Sequence, residues 1–160
     1  MRRLICSAFV VVALGLQTNA AEFVPFTATW SGVTVAVDAS ALPIVSVVAL
    51  GEGEGTHLGH FTMRSPHLNN VETFELWGTQ EFTAANGDTV TATFAGHLTP
   101  NADGSLSGTL PCVITGGTGR FAGATGTYDF TITAVPLADG SGYASTATID
   151  GRISSVGSLE

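Results

Sequence analysis

Gly116-Gly117-Thr118-Gly119-Arg120-Phe121-Ala122-Gly123-Ala124-Thr125-Gly126 is the stretch that decides the fold. It stands between two segments of strand-like alternation, Ser105 to Thr115 and Thr127 to Val135. Its five glycines, Gly116, Gly117, Gly119, Gly123 and Gly126, read as one solution to one problem: leaving a strand, turning tightly and re-entering the sheet. Gly116 and Gly117 are expected to release the chain through conformations closed to other residues. Thr118 is expected to cap a single helical turn, in which Phe121 is the one large apolar residue and plugs one end of the sheet. Arg120 is expected to pair with an acid at the rim. The run lacks the Lys-Ser/Thr ending of a phosphate loop and a long helix after it, so the reading is structural.

Outward from this turn, apolar residues recur with period two from Glu22 onward, and no stretch carries a helical period of useful length. In Thr127 to Val135, Tyr128, Phe130, Ile132 and Ala134 share one face while threonines and Asp129 take the other. The same split places Val90, Ala92 and Phe94 inward in Thr89 to Gly96, and Leu106, Leu110, Cys112 and Ile114 inward in Ser105 to Thr115. Turn chemistry falls between these segments at Ala85-Asn86-Gly87-Asp88, Ala102-Asp103-Gly104-Ser105 and Asp139-Gly140-Ser141-Gly142. Pro111 marks an edge or a bulge. Ala41 to Leu50 reads as one buried strand, too short for a membrane helix. A theme of Ala, large apolar residue and Gly on one face recurs at Ala28-Thr29-Trp30-Ser31-Gly32, Ala92-Thr93-Phe94-Ala95-Gly96 and Ala147-Thr148-Ile149-Asp150-Gly151, as a closed and strongly coiled sheet would use it.

The chain opens Met1-Arg2-Arg3, continues through the apolar run Leu4 to Leu16 and ends that run in the small and polar residues up to Ala21. This is the layout of a secretory signal peptide, residues 1–20, with cleavage after Ala20 or, as the alternative, after Ala21. The expected product is one domain, residues 21–160, secreted or periplasmic, with no membrane attachment after cleavage. That domain carries Arg64, Arg120 and Arg152 as its only cations against 13 acids. Such a surface repels phosphate backbones and anionic lipid, so no nucleic-acid partner is expected. Cys112 is its single cysteine, which rules out a disulfide within the domain, and its apolar alternation makes it a buried thiol.

With the strands and the glycine turn in place, the chain resembles plant allene oxide cyclases and dirigent proteins. It also resembles a set of uncharacterised exported bacterial proteins. The residues that carry the resemblance are Ile114 to Gly126, Thr56-His57-Leu58-Gly59-His60-Phe61-Thr62 and Phe82-Thr83-Ala84-Ala85-Asn86-Gly87-Asp88. The resemblance implies an all-β fold: a single antiparallel eight-stranded barrel of lipocalin-like shape. The functional residues of those families lie outside the shared turn and none is matched here, so it implies no catalytic site.

Chemistry read from the residues themselves is sparse. His57 and His60 are three apart, which would converge on a metal from a helix but diverge on a strand, so no metal is expected. Glu52 and Glu54 share a face without the spacing of a calcium loop and read as a solvated edge. His67 and His97 have no ligand-like neighbours. No nucleophile elbow occurs and no cofactor is implied. What stands out is polarity on inward faces: Gln80, in step with Phe74, Leu76 and Phe82, together with Tyr128 and Tyr143. In a hollow barrel these three are the contacts for a small hydrophobic molecule; in a filled one they bond to each other or to the backbone. Two functions follow: a non-enzymatic binding or structural module, and, as the alternative, a cyclase or dirigent-like protein that guides ring closure or coupling of a ligand inside the barrel. An open, mostly apolar cavity containing an ionisable group would favour the second. Oligomeric state is not legible.

Overall fold

The computed structural model describes residues 22–154; the leader expected at residues 1–20 lies outside them. The described residues form nine strands: β1 (Phe23–Ala41), β2 (Ile44–Gly55), β3 (Gly59–Asn70), β4 (Glu75–Thr83), β5 (Thr89–His97), β6 (Thr99–Pro100), β7 (Leu106–Gly117), β8 (Gly126–Pro136) and β9 (Gly142–Ser154). They pair antiparallel in the order β5-β4-β3-β2-β1-β9-β8-β7-β6, and β5 also pairs with β7. That last ladder closes the sheet. Because β6 is a two-residue continuation of β5 beyond Leu98, the result is the expected all-β barrel of eight antiparallel strands. Glu52 and Glu54 are paired on both sides, with Ser31 and Thr29 of β1 and with Thr62 and His60 of β3, so they stand on an outer wall and not on an edge.

Period-two alternation sets which side chains fill the interior. Tyr128, Phe130 and Ala134 of β8, Val90, Ala92 and Phe94 of β5, and Leu110, Cys112 and Ile114 of β7 are all buried, as their alternation requires. The Ala, large residue and Gly theme also falls inward, on β1, β5 and β9. Its physical sense is visible at Gly32, where a Cβ would lie 2.4 Å from Cζ2 of Trp30: the indole folds over the glycine two residues on.

The glycine-rich stretch forms the connection from β7 to β8, with a short 3-10 turn at Gly119–Phe121. Phe121 is 0% exposed, and among the large side chains buried around it are Leu58, Phe61, Phe82 and Val90. Gly119 has φ 54°, the left-handed region that favours glycine, and a Cβ there would sit 1.9 Å from Oδ1 of Asp88, so any other residue would be strained and would have to push that carboxylate aside. Gly117 differs from expectation. Its glycine is required by close approach, a Cβ falling 2.0 Å from the Thr89 carbonyl oxygen, and not by backbone conformation. Thr118 precedes the turn but does not cap it with its side chain; its hydroxyl accepts the Thr89 N–H at 2.9 Å and so ties the turn to β5. Arg120 finds the expected acid: its Nε lies 3.9 Å from Asp88, whose carboxylate also accepts the Arg120 backbone N–H at 3.2 Å. The guanidinium donates to the His57 carbonyl oxygen and covers the Phe121 ring, which leaves it tied into the turn.

Three further expectations are corrected. Ala41 to Leu50 is not one strand: β1 ends at Ala41, Leu42 and Pro43 turn the chain, and β2 begins at Ile44 with only alternate residues buried. The irregularity near Pro111 lies four residues on, where Thr115 is the extra residue between the Thr91–Gly116 and Ala92–Ile114 pairs; Pro111 itself stands just past the last β5–β7 rung. Phe74 is not in step with β4 but in the turn before it, with φ 59°.

Because Phe121 fills the barrel end with no room for water to replace it, Phe121→Ala should cost about 3–5 kcal/mol in denaturant unfolding. A loss below about 1 kcal/mol would show that the ring does not plug the barrel.

Candidate functional site in the barrel interior

The interior divides into two halves along the barrel axis. At the glycine-turn end, Phe26 and Phe82 pack with Tyr128 and with each other, and Phe61 packs with Phe82, at ring separations of 5.4 to 6.3 Å in tilted and edge-to-face pairs that fill the lumen. Toward the other end the inward residues shrink to Ala49, Ser65, Gly78, Ala134 and Ser145. There a cavity of about 60 Å³ remains, its apolar walls including Met63, Leu110, Phe130 and Ile132. A cleft of about 180 Å³ adjoins it at the open end of the barrel, beside Val71 and Phe74, and Leu76, Leu98, Leu106, Asn69 and Tyr143 line both. The alternative of hollow or filled is thus answered by position: filled below, open above.

Of the three polar residues singled out from the sequence, Gln80 is 2% exposed and reaches the cavity floor. Its β3–β4 ladder runs without a register shift past Gly78, which keeps it inward. Tyr128 is buried but does not line the cavity; its hydroxyl donates to Gln80 Oε1, which also accepts from the Cys112 thiol at 3.8 Å. Burial raises the Tyr128 hydroxyl well above its ordinary range and pushes the Cys112 thiol up to about 12, so both hold their protons at neutral pH. The hydroxyl and the thiol thus share one acceptor and form a polar knot within the protein. Tyr143 keeps inward parity on β9 but is half-buried at the mouth, away from the other two.

Four cavity residues went unmarked in the sequence reading. Trp30 and Ser145, each 3% exposed, and Asn69 present buried polar atoms, indole Nε1, hydroxyl Oγ and amide Oδ1, that meet no hydrogen-bond partner. His67, the fourth, stands on β3 opposite Gly78 and packs edge-on to Phe94 at 5.7 Å. Its Nδ1 lies 2.9 Å from the Ser65 carbonyl oxygen, which can only accept, so Nδ1 carries the proton and Nε2 is left with a lone pair. Desolvation, only partly opposed by that bond, lowers its pKa from the usual 6.5. The signals were faint: a Trp above a glycine, and a His in strand parity with Met63 and Ser65.

The other histidines near the glycine turn lie apart. His57 lies in the β2–β3 turn rather than on a strand, with Nε2 at 3.1 Å from the Pro25 carbonyl, while His60 faces Glu52 on the outside at 3.7 Å. Among the described residues no group of three metal-ligating side chains occurs, and no helix is long and apolar enough to cross a membrane.

Comparison with known proteins agrees with this architecture and adds no family. No family model and no curated protein matches the chain. Among solved structures, the pterocarpan synthase dirigent protein GePTS1 superposes with a TM-score of 0.55 at 16% identity, over 93% of this chain and 97% of that one. The chain therefore has a dirigent-like barrel fold.

Two measurements test this description. Tyr128→Phe removes the stronger donor to the buried Gln80 carbonyl and should cost about 1–3 kcal/mol of stability in denaturant unfolding; an unchanged midpoint would mean the knot is not formed. For His67 the sign is set by its depressed folded value. The unfolded state takes up the proton first, so stability is fully present above about pH 6.5 and is lost as pH falls from there through the folded pKa. His67→Gln should flatten that part of the pH–stability curve, read by thermal unfolding between pH 7.5 and 4.5; an identical slope would show His67 to be solvated.

Proposed function

We propose that this protein is an exported barrel that binds a small, largely apolar molecule in the open half of its interior. The observation that carries the reading is the largely apolar cavity that shares Tyr143, Asn69 and Leu106 with a cleft at the barrel mouth. A barrel closed only for stability has no need of the small residues Ala49, Ser65, Ala134 and Ser145 around a cavity, since unfilled space forfeits packing contacts. Among the described residues no cation lines the cavity, and the burial of charge without a partner is costly, so the bound molecule is uncharged.

A second role is favoured by two observations: His67, an ionisable group inside an apolar cavity, and likeness of fold to a dirigent protein that is a pterocarpan synthase. In it the barrel holds its guest in one conformation and guides ring closure or coupling by shape, with proton transfer assisted by imidazole. Binding is common to both readings and is the part to test first.

Toluene should cause saturable changes at the Trp30 indole N–H and the Met63 methyl resonance in NMR titration. Ala134→Leu, which extends a side chain into the cavity, should weaken this uptake at least tenfold with its circular dichroism unchanged. Perturbation confined to outward residues such as Trp77, or uptake unaffected by Ala134→Leu, would remove the interior as a binding site.

A further inference from the structure

The unpartnered atoms around the cavity specify more than apolarity. Trp30 and Ser145 lie on one wall: Trp30 pairs with Ala147 across β1 and β9, Gly32 pairs with Ser145, and the indole folds over Gly32 with Cζ2, the ring carbon two bonds from Nε1, at 2.4 Å from the position a Cβ would take. Trp30 and Ser145 therefore belong to successive inward-facing rungs of the same ladder, with the outward Ser31–Thr146 rung between them. Both are donors, both are at least nine-tenths buried, and neither has a partner. An indole N–H can only donate, so what satisfies it is an acceptor. Around the barrel on β3, three strands from β9, the polarity reverses: Asn69 offers an unpartnered Oδ1 and His67 the lone pair on Nε2.

We infer that the cavity recognises an uncharged compact molecule through a carbonyl or ether oxygen held by Trp30 Nε1–H and Ser145 Oγ–H, and through a hydroxyl given to His67 and Asn69. This inference rests on the binding role proposed above and states the chemistry of the guest. Leaving a buried donor unmade forfeits its full desolvation free energy, so a guest that supplies the acceptor recovers it, whereas a pure hydrocarbon cannot. Ordered water is the competing occupant of such groups, and a ketone must displace it.

The test uses the expected mature chain, cyclohexanone and its hydrocarbon isostere methylenecyclohexane, with cyclohexanecarboxylate as the charged comparison, titrated at pH 7.5 while the indole N–H resonances are followed. Cyclohexanone should bind about fivefold or more tightly than methylenecyclohexane and shift the Trp30 N–H downfield. Ser145→Ala and Trp30→Phe should each lower its affinity about two- to tenfold while leaving the isostere within twofold. 4-Hydroxycyclohexanone should bind more tightly than cyclohexanone, and His67→Leu should abolish that advantage. If Trp30→Phe fails to fold, the wild-type indole shift and Ser145→Ala carry the same comparison. Equal affinity for ketone and isostere, with toluene uptake intact, overturns the inference and leaves the binding role standing; so does preferential binding of the carboxylate. Absence of saturable binding by every compound, toluene included, overturns both.

Discussion

Everything inside this protein answers to the closure of one sheet. Once β5 pairs with β7, the circumference is set by strand number and register, and inward side chains must divide a fixed volume. Five aromatic rings, Phe26, Phe61, Phe82, Phe121 and Tyr128, overfill their share at one end and leave no space for solvent. At the other end Ala49, Ser65, Ala134 and Ser145 cannot fill theirs. The cavity is the arithmetic remainder of side-chain sizes within a rigid wall, and it is maintained because closing it would require the wall itself to narrow.

Polarity follows the same division. Where the lumen is packed, polar groups are paired internally: the Tyr128 hydroxyl and Cys112 thiol converge on one carbonyl of Gln80, and burial holds both protons in place. Where it is open, Trp30, Ser145 and Asn69 keep unpartnered atoms and His67 keeps a free lone pair. A protein that needed these groups only for packing would gain by apolar replacements of similar shape. Their polarity at this place is what the proposed recognition of a guest rests on.

The glycine turn serves the filled end only. Asp88, Arg120 and the His57 carbonyl bind three connections, β2–β3, β4–β5 and β7–β8, into one rim over Phe121. This anchors the end of the barrel opposite the cavity mouth, where the β1–β2, β3–β4, β6–β7 and β8–β9 connections lie. The cleft at the mouth thus stands at the end opposite this rim, as the proposed binding role requires.

Period two, by itself, determined the face of nearly every strand residue here, because a pleated chain alternates whatever its neighbours are; Gln80, Cys112 and Phe130 were legible as inward on that ground alone. The glycine-rich run likewise declared a turn around Phe121, since the left-handed backbone at Gly119 and Gly123 favours glycine. What alternation cannot carry is height along the barrel axis and identity of the residue across the lumen. Gln80 and Tyr128 are 48 positions apart in the chain and meet only because closure and strand stagger bring them to one level. His67 looked solitary for the same reason: its surroundings, Phe94, Gly78 and the void above Gln80, belong to other strands. Whether an inward residue meets a ring or an empty space depends on the summed volumes at its level, and that sum exists only once the sheet has closed.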